Sequence, residues 1–243
     1  MNKTIFIGAA MLPIALSLAA CSGEPPKDGT TAPKHPAYLY IVNDVSSSAR
    51  VQADDAFGKA VRARAAQAVK QLKPGDRVQL VNAGSLQADR LVAYPLIKTG
   101  YGLSLAKAGQ QLAQQMDEVA TSARASGGDD ATNIIATLSN LRPDCASGRS
   151  EIKITSDGLE QSHAYSAVAA INAGKPIVLP PPSSGTSLKG CKIEFIGFAM
   201  VVDSAGTAAL LPEVHLIALR KGWEIWLIRA GVAPSDMTFT SLL

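Results

Sequence analysis

The chain has 243 residues, of which 47% are apolar, with 23 Lys and Arg set against 20 Asp and Glu. A formal net charge of +3 is too small to mark a protein that binds polyanions, so no nucleic-acid partner is expected. The length suits one folded domain of ordinary size with a full core.

Lys3 followed by the apolar stretch Ile5 to Ala20 has the charge-then-hydrophobic layout of a secretory signal, and that stretch is short for spanning a bilayer. Residues 1–20 are therefore assigned to a signal peptide and set apart from the fold. Leu18-Ala19-Ala20-Cys21 resembles the bacterial lipobox. The resemblance implies acylation of Cys21 and a mature protein tethered to a membrane, and Ser22 in place of Asp favours the outer membrane. An uncleaved anchor or an ordinary secretory signal is the plainer alternative. Residues 21–36, rich in Gly, Pro, Lys and Thr without apolar periodicity, suit a flexible tether, which leaves 37–243 as the folded domain.

Tyr38 to Val42 is a continuous apolar run and predicts a strand buried on both faces. From Ala53 to Leu72 the apolar residues Phe57, Val61, Ala65, Ala68 and Leu72 recur at helical spacing, and Pro74-Gly75 ends that helix. Arg77 to Val81 predicts a second strand, and Leu91 to Ile97 a third that pairs antiparallel at the edge. Leu105, Ala108, Leu112, Met116, Val119 and Ala123 mark a second surface helix, broken at Gly127-Gly128. Thr132 opens a shorter helix that ends before Pro143. Beyond it the sequence predicts strand at Ile152 to Thr155, helix at Ser162 to Ala173, strand at Ile193 to Met200, helix at Gly206 to Lys221 and strand at Trp223 to Ile228. Lys175 to Gly190 is a long irregular insertion, expected on the rim opposite the candidate ligands. This alternation predicts an α/β fold: a doubly wound, mostly parallel central sheet with one antiparallel edge strand and helices on both faces.

With Cys21 assigned to the lipid, Cys145 and Cys191 remain as an even pair in an oxidising compartment, and a disulfide between them is expected. Two unpaired buried thiols are the alternative. Each cysteine precedes a predicted strand, so if those strands are neighbours the bridge closes their shared amino-terminal edge.

Three distant segments carry hard oxygen donors: Asp44, Ser46 and Ser48 in D-V-S-S-S, Thr132 in A-T-N-I, and Asp157 in T-S-D-G. In an open parallel sheet, ligands bind beyond the carboxyl ends of the strands. Residues two apart on an extended chain share a face, so Asp44, Ser46 and Ser48 can converge. Hydroxyl and carboxylate donors suit Mg²⁺, or Mn²⁺ or Ca²⁺, and the lack of His and Cys in these segments argues against zinc or copper. Each segment has a plainer reading when taken singly: Asp44 and its serines as a cap on the following helix, Thr132 as another cap, Asp157-Gly158 as a turn. Asp129 and Asp130 are a further candidate for cation binding, or a solvated loop. His163, His215, Trp223 and Trp226 are assigned to surface or packing.

D-x-S-x-S, a separated Thr and a strand-ending T-x-D-G together resemble the metal-ion-dependent adhesion site of von Willebrand factor type A domains. Lys73-Pro74-Gly75-Asp76-Arg77-Val78 is similar to the turn entering that family's second strand. The resemblance implies Ser46, Ser48 and Thr132 as direct ligands and Asp44 and Asp157 as supporting carboxylates. It departs at Asp129-Asp130-Ala131, which separate the glycine pair from the threonine. The implied function is non-catalytic: an envelope lipoprotein on the periplasmic face of the outer membrane that binds a partner protein's acidic residue through Mg²⁺, as an adhesion or scaffold component. The alternative is a periplasmic metal-dependent hydrolase or phosphatase with Asp44 as nucleophile, although Ser46 and Ser48 stand where such an enzyme needs acid, base or phosphate-clamping groups.

Overall fold

The computed structural model describes residues 35–46, 49, 52, 53, 55–84, 92–100, 102–127, 131–202 and 207–241. The predicted signal peptide, Cys21 and almost all of the tether lie outside the described residues. In chain order the elements are β1 (Tyr38–Asp44), α1 (Ala56–Gln67), β2 (Arg77–Ala83), β3 (Val92–Ala93), β4 (Ile97–Lys98), α2 (Leu105–Ser126) and α3 (Ile134–Leu141). They continue with β5 (Glu151–Thr155), α4 (Ala167–Asn172), β6 (Lys192–Ile196), β7 (Met200–Val202), β8 (Ala208–Leu210), α5 (Glu213–Arg229) and β9 (Met237–Thr240).

β1 is central because its apolar run can be buried on both sides. It pairs in parallel with β2 and with β5, and β6 and β9 extend the parallel sheet beyond β5. β3 and β4 both pair antiparallel with β2, so the strand order is β3-β2-β1-β5-β6-β9 with β4 also on β2. Alternating side chains supply two cores. Leu39 and Ile41 pack with Val61 and Ala65 of α1 and Leu112 and Met116 of α2. Tyr40 and Val42 face the layer containing Ile134 and Leu138 of α3 and Leu219, Trp223 and Trp226 of α5. This is the expected α/β arrangement, mostly parallel and Rossmann-like.

Several boundaries differ from expectation. Trp223 to Ile228 is not a strand but the second half of α5. Leu219, Trp223, Trp226, Leu227 and Ala230 are buried at helical spacing, while apolar residues on the outer face blur the period and make the segment resemble a strand. β9 takes the place at the sheet edge instead. Within Gly206 to Lys221, residues 208–210 pair with β7 as a hairpin, and the helix begins after Pro212, whose fixed φ and missing N–H suit a helix start.

The strand starting near Ile193 stops at Ile196, because Gly197 turns at φ 87° and the Gly197 and Phe198 amides donate to the Thr240 carbonyl. The predicted edge strand from Leu91 to Ile97 is two short pieces on either side of Pro95, which cannot donate to a ladder. The helix expected from Ser162 forms only at Ala167–Asn172, after its cap Ser166. The insertion 175–190 is not confined to the far rim: Ile177 and Leu179 pack over Gly222 of α5, and only its end reaches Cys145.

Cys145 and Cys191 form a disulfide, with Cα atoms 5.1 Å apart and a separation of 46 positions in sequence. They precede the neighbouring strands β5 and β6, so the bridge closes the amino-terminal edge as expected and contributes about 4 kcal/mol by chain-entropy reasoning. Among the described residues, no helix is long and apolar enough to cross a membrane.

The same edge is fixed by Asp76, which is fully buried. Its two oxygens accept the amides of Ala37 and Lys73, both at 2.8 Å, and a forked pair from Arg149 at 2.9 and 3.1 Å. One carboxylate thus ties the starts of β1, β2 and β5. Burial pushes the Asp76 carboxyl up, but the Arg149 hydrogen bonds and the Lys73 and Ala37 amides outweigh it and hold it below its ordinary 3.8. A depressed folded-state pKa gives stability that is complete above that ordinary value and is lost as pH falls through the folded one. Asp76→Asn is expected to cost on the order of 2 kcal/mol at neutral pH and to remove part of the acid-side slope below pH 3.8, as urea unfolding over a pH series measures.

Candidate functional site

Strand order reverses between β1 and β5: the chain steps from β1 to β2 on one side, then builds β5, β6 and β9 on the other. A crevice forms beyond the carboxyl ends of strands at such a switch point. β1 ends there with Asn43-Asp44, β5 with Thr155, and Asn43 stands opposite Thr155 in the parallel ladder. Ser156 and Asp157 follow, and all five side chains belong to residues almost wholly withdrawn from solvent.

Asp44 is the hub. Its Oδ1 accepts the Ser46 amide at 3.0 Å and the Thr132 hydroxyl at 3.5 Å, and its Oδ2 accepts the Ser156 hydroxyl at 2.6 Å. The Ser46 hydroxyl bonds to the same carboxylate. Asp157 Oδ1 accepts the Leu159 amide at 2.8 Å, and its carbonyl accepts the Ala199 amide at 2.8 Å. Four of the five candidate metal residues, Asp44, Ser46, Thr132 and Asp157, are therefore brought together at one rim. Ser48 lies outside the described residues, as do Asp129 and Asp130.

Electrostatics mark the pair. Burial pushes the Asp44 carboxyl up against the opposing hydrogen bonds from Ser156, Ser46 and Thr132. Burial and then the neighbouring charge of Asp44 push Asp157 well above its ordinary value, against the Leu159 amide and the Ser156 hydroxyl. Among the described residues, neither carboxylate is ion-paired to Lys, Arg or His. Nor do the described residues contain a group of three or more His, Cys, Asp and Glu able to hold a metal. The convergent donors are instead hydroxyls around two carboxylates, a hard-oxygen set.

The plainer readings of these residues can be compared with the backbone. α1 is capped by Asp55, whose side chain accepts the Gly58 amide, so Asp44 and Ser46 do not cap it. The residue before α3 is Asn133. Thr132 sits one position earlier, locked by two backbone hydrogen bonds to Gln161 at 2.8 and 3.0 Å, which leaves its hydroxyl turned to Asp44. Asp157-Gly158 does form a turn. Gly158 has φ 78°, and a Cβ there would come within 2.7 Å of the Phe198 ring, so glycine is required by both backbone and space. The Gly158 carbonyl accepts the Trp223 indole N–H at 2.7 Å, which pins the turn to α5.

Some contributors carry no motif. Ser156 stands inside the T-S-D-G segment, yet its bond to Asp44 becomes visible only when β1 and β5 are adjacent. Asn43 Oδ1 accepts the Thr155 hydroxyl at 2.7 Å and the Gln52 amide at 3.2 Å, and Gln52 also donates to the Asp44 carbonyl. Glu160 is buried, and its Oε2 accepts the Ile134 and Ile135 amides at 2.9 and 3.2 Å, so it caps α3 from a distant loop. A cap that lies 26 and 25 positions beyond the amides it accepts leaves no local signature. His163 is exposed in the loop before α4, and His215 lies half-buried in the first turn of α5.

No protein-family model matches the chain, and no curated protein matches it. Solved structures with similar outlines include the pilus adhesin SpaC from Lactobacillus rhamnosus GG, at 11% identity and TM-score 0.46, covering 86% of this chain and 28% of that one. An aerotolerance-related membrane protein from Bacteroides fragilis NCTC 9343 aligns at 17% identity and TM-score 0.38, covering 84% and 90% of the two chains. The conserved hypothetical protein BatB from Bacteroides thetaiotaomicron aligns at 16% identity and TM-score 0.37, covering 84% and 89%. The chain thus spans less than a third of the adhesin. At these identities and scores, none of the three assigns a family or an activity to the chain.

Glu160 gives a pH test of the rim. Burial pushes its carboxyl from an ordinary 4.5 to about 8, against the two helix amides. A raised folded-state pKa on a carboxyl means the folded state holds its proton longer than the unfolded state does. Its contribution is therefore full below pH 4.5 and is lost as pH rises through about 8. Glu160→Gln, which keeps an acceptor for α3 and cannot ionise, is expected to flatten the decline in stability across that window. Denaturant midpoints at several pH values in EDTA measure this, and unchanged slopes would contradict it.

Proposed function

We propose that the chain is a non-catalytic, von Willebrand factor type A-like binding module that captures an acidic side chain of a partner protein through a hard divalent cation. The observation that carries this reading is the convergence of Ser46 and Thr132 hydroxyls on Asp44, with Asp157 beside it, at the switch point of the sheet. Two neighbouring buried carboxylates without a basic partner among the described residues hold negative charge that a cation would neutralise. The residues present therefore fit such an ion. Ser46 and Thr132 would hold it through neutral hydroxyls, with Asp44 and Asp157 as supporting carboxylates, and Ser48 joins them by the sequence motif. A bound Mg²⁺ supplies positive charge that few anionic ligands cancel, which attracts a partner's carboxylate.

The protein's own groups do the positioning. Asn43, Gln52 and Ser156 fix the end of β1, the Gln161 ladder fixes Thr132, and Trp223 fixes the Asp157 turn. For a hydrolytic role, Asp44 would need a proton donor and a phosphate clamp at hand. The groups that meet it among the described residues are hydroxyls and an amide. By sequence the module is placed in a bacterial envelope, tethered through acylated Cys21 on the periplasmic face of the outer membrane, as an adhesion or scaffold component.

Saturating Mg²⁺ is expected to stabilise the folded chain by about 3 kcal/mol at a hundredfold excess over Kd, which for a domain of this size raises Tm by roughly 5 to 10 °C. Asp44→Ala and Thr132→Ala should abolish that rise, and both should lose EDTA-sensitive capture of the partner from native envelope extracts. Identical melting in Mg²⁺ and EDTA, or capture undiminished in both variants, would defeat the reading.

A further inference from the structure

The parallel strands all start at one edge, so the turns that enter β1, β2, β5 and β6 gather there, opposite the candidate cation rim. A formal net charge of +3 conceals how unevenly charge is placed between the two edges. The rim carries Asp44, Asp157 and Glu160, with Asp55 and Glu213 at the starts of α1 and α5. The amino-terminal edge carries bases. Lys70 and Arg229 lie in last helical turns, where a cation complements the helix dipole. Lys73, Lys98, Arg149, Lys189 and Lys192 have no such local role, because they stand in turns or at strand ends. All four of these lysines are exposed, and none is ion-paired among the described residues. Of the acids at this edge, Asp76 is held by Arg149 and Glu151 by Lys153, which leaves Asp144 and Asp236 against the four lysines.

The edge also has a cavity of about 200 Å³, lined by Lys73, Arg149 and Lys192 around the apolar Leu39 and Leu72. Arg149 is engaged by Asp76, and the acid in the lining, Glu151, by Lys153. Lys73 and Lys192 are therefore the cations left to meet an incoming anion. Where the chain enters the fold identifies that anion. The described residues begin at His35, just before β1, at this same edge, and Cys21 stands 14 positions earlier in sequence. A coil of that length spans roughly 20 Å, so an acyl group on Cys21 holds this edge nearer a bilayer than the rim. Clustered lysines beside a lipid anchor are attracted to anionic headgroups. We infer that the amino-terminal edge rests on the anionic headgroups of the membrane that carries the tether, with a lipid phosphate between Lys73 and Lys192. The rim then faces away from the bilayer, toward a partner. This inference rests on the lipid-tether part of the proposed function and not on the cation.

The test is footprinting of lysines with a membrane-impermeant amine reagent, read residue by residue by mass spectrometry. The acylated chain is carried on vesicles of phosphatidylcholine alone or of an equal mixture with phosphatidylglycerol. On the mixed vesicles Lys73, Lys98, Lys189 and Lys192 should label at least several-fold more slowly than on the neutral ones, and salt should remove the difference. Lys175 and Lys221, away from this edge, should label equally on both. Lys73→Glu combined with Lys192→Glu should return Lys98 and Lys189 to the neutral-vesicle rate with melting unchanged. Lys175→Glu combined with Lys221→Glu makes the same change of charge elsewhere and should leave that protection intact. Equal labelling of the edge on both vesicles overturns the inference, as does equal loss of protection in the two double variants. Inorganic phosphate that slows Lys73 and Lys192 on neutral vesicles as much as the anionic lipid does also overturns it, and assigns the cavity to a soluble anion. The same spectra report the mass on Cys21. A chain without an acyl group there defeats the tether reading and this inference together, whereas an acylated chain with an unprotected edge defeats the inference alone.

Discussion

Two carboxylates at the ends of adjacent parallel strands, buried together without a basic neighbour among the described residues, set the central constraint on this protein. A charge withdrawn from water needs a partner or a proton. Asp44 and Asp157 raise each other's cost, and the hydroxyls of Ser46, Thr132 and Ser156 offset only part of it. A fold that keeps such a pair at its switch point maintains local instability at the place where open α/β sheets ordinarily carry their function.

The rest of the molecule holds that arrangement rigid. At the opposite edge, Asp76 and the Cys145–Cys191 disulfide bind the starts of β1, β2, β5 and β6, so the strands deliver their far ends to fixed places. At the carboxyl edge of the sheet the loops are fastened one to another. Gly158 can approach Phe198 and accept from Trp223 only because it lacks a Cβ. Thr132 is fixed by Gln161, and Glu160 in the same loop holds the start of α3. One short segment, residues 157–161, therefore positions an aspartate, a threonine and a helix end together.

Much of this was legible from residue order. The unbroken apolar run at Tyr38 to Val42 announced a central parallel strand, and the stripe from Leu105 to Ala123 announced α2, because each has a single period. The segments bearing Asp44, Ser46, Thr132 and Asp157 could be aligned because parallel strands bring their carboxyl ends to one rim. What stayed hidden depended on tertiary partners. Trp223 to Ile228 looked like strand since α5 is apolar on its outer side as well as its inner one, and the outer residues have no local explanation. Pro95 divides an edge strand whose composition otherwise favours extension. Glu160 and Ser156 act across long sequence separations, where neither spacing nor composition leaves a trace.

The most direct measurement is a crystal structure of the chain grown with Mn²⁺ and phased at the manganese edge. An anomalous peak in direct contact with the Ser46 and Thr132 hydroxyls, with Asp44 and Asp157 around it, is the expected result. Crystals in which manganese binds elsewhere, while those four residues keep only their hydrogen bonds to one another, would contradict the cation-binding role of the rim.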